Sequence, residues 1–390
     1  MNLLKILLLS SFCLSQEFSW EKIDQIQEGY QYLINSNLNG DLIVGGIQFN
    51  ENYEMQLYFK DNNGAWIEVL GNELVTTMIG DVLITETQNI YVCDFAMGLY
   101  RTIDLGINWS APSEISFDGC SAFKIHENGT FFMGMTYTGI GFIHRSLDNG
   151  STWEALPLPD YENNYPVEYI DFDNEGNIFL GTINGIYRST DNGENWQKMN
   201  NGINGEHISS LFIDENDNIY IYTTYSSMVD GMYFSNDNAE SWISIPMPGY
   251  YVVDLLVKNN IIMIIDGYNN IQLTEDLGNT WVTSNDGLND YSLFSLHLGY
   301  NDIIYAGGRY IHYAYNNFDE CQFIGDLNYD SLLNVIDVIL IVNCILDSNC
   351  GECSDINEDG ENNVIDIILL LNLILDLEQL THTQKLILVK

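Results

Sequence analysis

The 390-residue chain sets 55 acidic side chains against 12 basic ones, a formal net charge of −43. Such a surface repels phosphate backbones and anionic headgroups, which argues against nucleic-acid and membrane-surface partners and suits divalent cations and high salt. An apolar content of 46% excludes wholesale disorder, and the length holds one large or two ordinary domains.

The N-terminus, MNLLKILLLSSFCLSQEF, places Lys5 before an apolar run from Ile6 to Leu9, then small and polar residues toward Gln16. That pattern reads as a secretory signal peptide over residues 1–16, cleaved near Ser15 and Gln16, and gives a secreted or cell-surface protein. Cys13 leaves a lipid-anchored form as the alternative. No later stretch reaches the roughly 18 apolar residues of a membrane span. The best, 364–375, is 12 residues long and contains Asp366 and Asn372.

From Phe18 to about residue 320 the chain repeats. RTIDLGINW, RSLDNGSTW and RSTDNGENW, with the weaker FSNDNAESW and LTEDLGNTW, close on Trp109, Trp153, Trp196, Trp242 and Trp281, which are 44, 43, 46 and 39 residues apart. FKDNNGAW puts Trp66 43 residues before Trp109, and Asn316 lies 40 residues after Asp276. These are seven units. Within 165–199, period-two runs between Gly, Asn and Asp turns predict strands at Val167–Phe172, Ile178–Gly181 and Ile186–Ser189, and a last one from Asn195. Four short strands per ~43 residues is the spacing of a β-propeller blade, so the expected fold is mainly β, a seven-bladed propeller over 17–320. The last unit lacks its Trp strand, whereas Trp20 stands 46 residues before Trp66. The N-terminal segment 18–23 is therefore expected to supply the outer strand of blade seven, which removes an exposed edge.

The repeated turn itself is architectural. In Asp191-Asn192-Gly193 the carboxylate can accept nearby backbone N–H groups, Gly193 permits a positive φ, Ser189 adds a local hydroxyl bond, and Trp196 packs between strands. The S-x-D-x-G-x-x-W pattern resembles the Asp-box, or BNR repeat, of sialidases, xyloglucan-degrading glycoside hydrolases, sortilin-type receptors and photosystem assembly proteins. That resemblance implies turns at the propeller's periphery that do not perform chemistry.

Six cysteines follow the signal: Cys93, Cys120, Cys321, Cys344, Cys350 and Cys353. They permit disulfides in an exported chain without assigning pairs. The last four cluster near the C-terminus, where the absence of His disfavours zinc.

From Gly325 the composition changes. GDLNYDSLLNVIDVILIVNCIL and SDINEDGENNVIDIILLLNLIL are related units whose first aspartates are 29 residues apart. Oxygen side chains recur at loop positions 1, 3, 5, 9 and 12 in Asp326, Asn328, Asp330, Asn334 and Asp337, and again in Asp355, Asn357, Asp359, Asn363 and Asp366. Position 7, Leu332 or Glu361, would offer its backbone carbonyl, and this all-oxygen set suits Ca2+. Gly360 fits the sharp turn at position 6, from which Ser331 departs. Each loop runs into an apolar helix, 335–346 or 364–375. The pair resembles a dockerin domain, a small all-α module of duplicated half EF-hands, here over 321–377 and followed by a tail, 378–390. The resemblance implies a cohesin-like partner on a scaffold protein, contacted by Val335-Ile336 and Val364-Ile365. So little core implies that calcium binding and folding are coupled.

Two functions follow. One is a secreted propeller that binds an extracellular polysaccharide or protein, with loop tyrosines Tyr137, Tyr161, Tyr165, Tyr225, Tyr250, Tyr251, Tyr268 and Tyr291 as anchors. The other is a glycoside hydrolase of a polysaccharide-degrading complex using paired carboxylates, for which Asp94, Asp171 and Asp230 are candidates outside the repeated turns. A sialidase-like arginine triad is not matched, because Arg101, Arg145 and Arg188 recur at one strand position in successive units, leaving Arg309. Xyloglucanase-like enzymes use two propellers, and this chain has room for one.

Overall fold

The computed structural model describes residues 18–49, 54–62, 64–70, 79–111, 119–135, 143–156, 158, 166–205, 207–224, 231–249, 251–288, 292–315, 324–325, 333, 335–347, 354–357 and 360–379. They form two compact units, a β-sheet unit over Ser19–Tyr315 and a helical unit containing Asn316–Lys390. Residues 1–16, read from sequence as a signal peptide, and the chain beyond residue 379 lie outside the described residues.

The β unit consists of seven antiparallel sheets, six with four strands and one with three. The innermost strands are Gly29–Ser36, Ile79–Ile84, Cys120–Ile125, Val167–Phe172, His207–Ile213, Val252–Lys258 and Ser295–Leu298, one for each of blades 1 to 7. Each neighbours the next, and the last neighbours the first, which makes a closed seven-bladed β-propeller. In blade 4 the strands are Val167–Phe172, Ile178–Thr182, Gly185–Ser189 and Gln197–Lys198. The last begins two residues later than the repeat predicts, because the Asn195 N–H is held by Asp191 Oδ1 at 2.8 Å, inside the turn. In blade 2, among the described residues, the outer segment shows one bridge, Arg101 to Ser110, with N–H to O distances of 2.8 and 2.9 Å.

Blade 7 takes its fourth strand from the other end of the chain. Glu21–Lys22 pairs with Ile311–Tyr315, Glu21 opposite Tyr313. Trp20 also reaches sideways to blade 6, where its backbone N–H donates to Asp286 O at 2.9 Å and its Nε1 to Ser284 O at 3.0 Å.

The core lies between blades. Second strands such as Ile178–Thr182 are buried at every position, because both faces of the sheet meet a neighbouring sheet. Phe132, Ile143 and Leu156 of blade 3 pack on Val167, Leu180 and Trp196 of blade 4, and similar layers join the other neighbours. Each such side chain contributes about 1.5–3 kcal/mol on burial, so stability accumulates at blade-to-blade seams. A disulfide, Cys93–Cys120, crosses the seam between blades 2 and 3. The sequence offered these two cysteines without assigning their pairing.

In the helical unit, α1 (Val335–Asp347) and α2 (Val364–Gln379) pack together, and Ile341 of the first and Leu370 of the second are fully buried. No helix among the described residues is long and apolar enough to cross a membrane.

Candidate functional site

Three regions hold the chemistry: the repeated turns, the innermost strands and the second helical loop. The turns explain themselves locally. In blade 4 the Ser189 hydroxyl donates to Asp191 Oδ1 at 2.9 Å and accepts the Gly193 N–H at 2.9 Å, while Asn195 Nδ2 donates to Asp191 Oδ2 at 2.7 Å. The same pattern ties Thr102 to Asp104, Ser146 to Asp148, Ser235 to Asp237 and Thr274 to Asp276. These donors hold Asp191 and Asp104 below the ordinary carboxylate range, with the side-chain amides of Asn195 and Asn108 as the largest causes.

The turns also join blades. Trp109 Nε1 donates to Val69 O at 3.1 Å, Trp242 Nε1 to Met199 O at 2.8 Å, and Trp281 Nε1 to Pro246 O at 2.9 Å, each across the seam to the preceding blade. A Cβ at Gly106 would stand 1.9 Å from Val69 O. The turn glycine is thus fixed by close approach as well as by its positive φ of 85°. Arg145 and Arg188 work in the other direction. The Arg145 guanidinium, 6% exposed, donates to Glu154 and Glu194 at 2.7 Å each and to Asn192 O at 2.7 Å. Arg188 reaches Glu240 at 2.8 Å and Asn238 O at 2.5 Å. Both clamp the following blade's turn.

Around the axis, polar side chains of the innermost strands hold the next blade's backbone. Asn35 Oδ1 accepts Ile84 N–H at 3.1 Å, Asp81 Oδ2 accepts Phe123 N–H at 3.0 Å, Asp171 Oδ2 accepts Ile213 N–H at 3.3 Å, and Asp254 Oδ2 accepts Leu296 N–H at 2.7 Å. Lys124 Nζ lies 3.8 Å from Asp171 Oδ1. Burial pushes Asp81 and Asp171 up and carries Asp254 to about 6, partly offset at each by the bonded N–H groups. Burial likewise lowers His297 to about 3, leaving a neutral ring 2.9 Å from Ser36 Oγ. On blades 4 and 5, His207 Nε2 meets Glu168 at 2.8 Å, and that hydrogen bond raises the imidazole against the effect of burial.

Of the acids singled out from sequence, Asp171 belongs to this inner ring. Asp94 is fully buried at the end of a second strand, where Oδ1 accepts the Ala96 and Met97 N–H groups at 2.7 Å each, a turn-capping role. Asp230 lies outside the described residues, as do Tyr137, Tyr161, Tyr165, Tyr225, Tyr250 and Tyr291. Tyr251 and Tyr268 are exposed on blade 6. Aromatics that the sequence did not single out, Tyr30, Phe49 and Phe294, are also exposed.

In the second helical loop, Asp366 is fully buried at the start of α2, its Oδ1 accepting the Ile356 and Asn357 N–H groups at 3.0 and 3.3 Å and its Oδ2 that of Asn363 at 2.9 Å. Asp355 Oδ2 accepts Gly360 N–H at 2.7 Å, and Gly360 has φ +84° in open space. Asn363 caps α2 through Ile365 N–H at 2.8 Å, and its Nδ2 donates to Glu361 O at 3.1 Å. Asp355, Asn357, Glu361, Asn363 and Asp366 thus share one tight loop whose donors are all oxygen, which fits the chemistry of a hard cation such as Ca2+. Asp359 lies outside the described residues, and among those described no group of three His, Cys, Asp or Glu side chains forms a metal cluster. In the first loop Asp337 is fully buried. Asp326, Asn328, Asp330, Leu332 and Asn334 lie outside the described residues.

No protein-family model matches the sequence, and no curated protein does. Solved structures match the fold. The chain is similar to YCF48 bound to a D1 peptide, at 16% identity and TM-score 0.59 over 78% of this chain and 99% of that one. It is similar to a GH74 enzyme of Niastella koreensis, at 14% identity and TM-score 0.57 over 74% of this chain and 52% of that one. It is also similar to PorZ, a surface component of the type-IX secretion system of Porphyromonas gingivalis, at 14% identity and TM-score 0.57 over 74% and 46%. The chain spans about half the length of the last two, and at these identities the likeness is one of fold: a seven-bladed β-propeller shared by enzymes and by proteins of other roles.

Proposed function

We propose that the protein is an exported β-propeller that binds an extracellular glycan or protein, built from Asp-box blades and joined to a larger assembly through a calcium-dependent, dockerin-like C-terminal module. The observation that carries the binding reading over the hydrolase is the employment of the axial acids. Asp81, Asp171 and Asp254 each hold a neighbouring blade's N–H, so their carboxylates fasten the ring. A glycosidase needs two carboxylates facing a sugar across roughly 5–10 Å, with lone pairs free for the leaving group and for water or the anomeric carbon. The signal-like segment 1–16 supports export. The oxygen-lined second loop supports Ca2+, with Asp355, Asn357, Glu361, Asn363 and Asp366 as holders and the first loop as its duplicate. Bound Ca2+ would supply the charge that draws each loop together.

Reducing-sugar release and affinity electrophoresis, run in parallel on plant and algal polysaccharides with the calcium-loaded protein, test the reading. Retarded migration without turnover is expected. Turnover on any glycan would replace it with the hydrolase. For the C-terminal module, chelation of the full chain is expected to remove the helical circular-dichroism signal while leaving the propeller's unfolding midpoint in place. Helicity unaffected by chelator would refute calcium dependence.

A further inference from the structure

We infer that the seam between blades 7 and 1 carries a stacking platform for a neutral polysaccharide, an inference that rests on the binding reading and narrows it. Tyr30, Phe49 and Phe294 are 40%, 39% and 37% exposed, and Tyr30 packs against each of the two phenylalanines. Phe49 and Phe294 stand at 89° and 85° to Tyr30, with centroids 4.5 and 5.4 Å away. Rings at right angles cannot close into a single flat stack, so ring surface stays open to solvent. All three lie on the face where one blade passes to the next, opposite the Asp-containing turns.

The rings are held rigidly. Phe294 N–H donates to Gly307 O of its own blade at 2.7 Å, while across the seam Gly29 N–H donates to Arg309 O at 3.1 Å and Gln31 N–H to Gly308 O at 2.7 Å, so backbone bonds fix the segments that present Phe294 and Tyr30. Arg309 pairs with Glu28 and lies 5.9 Å from the Phe49 ring. The patch therefore combines open rings with an internally neutralised ion pair at its rim.

Three arguments select the ligand. The open ring area is on the order of 200 Å². That is well below the roughly 800 Å² per partner of a stable protein interface, whereas a pyranose covers one ring with its axial C–H bonds. The formal charge of −43 disfavours anionic polymers. The Arg309–Glu28 pair offers donors and acceptors suited to hydroxyls without demanding a charge.

The test is affinity electrophoresis of the calcium-loaded full chain in galactomannan, xyloglucan and mixed-linkage β-glucan, with homogalacturonan and alginate as anionic counterparts. The wild type should be retarded by at least one neutral polymer. Phe294→Leu, which keeps volume but removes the ring, should weaken that retardation about threefold, and Tyr30→Ala with Phe294→Ala about tenfold or more. Tyr300→Ala, 40% exposed at the turn between the first two strands of blade 7, should leave it unchanged. Undiminished retardation of correctly melting platform variants would overturn the platform and leave glycan binding intact. Retardation by the anionic polymers alone would overturn the neutral ligand. A wild type that no polymer retards would remove the glycan reading together with the platform. Should the double variant unfold, Phe294→Leu and wild-type saturation-transfer NMR decide: transfer from irradiated aromatic protons to sugar C–H protons supports stacking, and its absence refutes it.

Discussion

Two copies of the same tryptophan separate packing from hydrogen bonding. Trp196 and Trp242 are equally buried, at 9% and 8% exposure, but only Trp242 Nε1 bonds across its seam, to Met199 O at 2.8 Å; Trp196 Nε1 is buried without a partner. Trp242→Phe leaves the Met199 carbonyl unsatisfied, worth about 1–3 kcal/mol, and loses roughly 1 kcal/mol of contact. The total is about 2–4 kcal/mol. Trp196→Phe loses similar contact but removes an unsatisfied donor, so its net change is about 0–1 kcal/mol in either direction. At about 2 °C per kcal/mol for a domain this large, Tm falls by about 4–8 °C for the first and 2 °C or less for the second. Urea unfolding followed by far-UV circular dichroism, with thermal melts in parallel, measures both. Equal losses at the two sites, or a larger one at Trp196, would show that ring packing rather than the seam hydrogen bond governs, and would sink the reasoning.

Further outcomes follow from the other seams. Replacing both Cys93 and Cys120 by Ala opens a loop of 27 residues and should cost about 3.5 kcal/mol in unfolding free energy, whereas an unchanged urea midpoint would deny the cross-link a role. Arg145→Met removes both carboxylate contacts and the Asn192 bond; because Glu154 and Glu194 are about 60% exposed and water takes over their solvation, the cost should be only about 1–2 kcal/mol. Asp254 has a folded pKa of about 6, above its unfolded value, so its contribution is complete below about pH 4 and is lost as pH rises through 6. The wild type should therefore gain about 1–2 kcal/mol on Asp254→Asn between pH 7 and 4.5. His297, whose lowered pKa acts in the opposite sense, cancels in that comparison, and parallel pH profiles would refute the assignment. Asp366→Ala should abolish the calcium-induced gain in helicity, since it removes the carboxylate that gathers the Ile356, Asn357 and Asn363 N–H groups; a normal calcium response would show that the loop closes without it.

The blades were legible because their signals are local. Period-two runs, Asp-Asn-Gly turns and tryptophans at a fixed interval act within ten or so residues, and each copy reinforces the others. What the acids do was not legible, because it depends on the adjacent blade: Asp171 is one more carboxylate in an acidic chain until Ile213 N–H is set against it. The Cys93–Cys120 pairing has the same origin, since it needs the register between two sheets. The exposed aromatic group was invisible for a stronger reason. Tyr30 and Phe294 are far apart in sequence and meet only when blade 7 closes onto blade 1. In the second helical loop the sequence shows only the spacing of oxygen side chains, and the structure adds the burial of Asp366 and its bonds to the Ile356, Asn357 and Asn363 N–H groups.

The pairing of Glu21–Lys22 with the strand ending at Tyr315 has a consequence for the order of events in biogenesis. A chain that emerges N-terminus first holds its final fastening from the outset but has nothing to fasten to until nearly 300 further residues appear. The Trp20 ring must wait for Ser284 and Asp286, and Lys22 for His312. Six blades can stack progressively while the seventh stays one strand short with an open edge. The last step is a loop closure across almost the whole propeller, entropically the most demanding contact in the molecule. Such a chain stays an open array until late and then locks at once, so truncation before residue 311 should leave an open, association-prone array rather than a smaller stable ring.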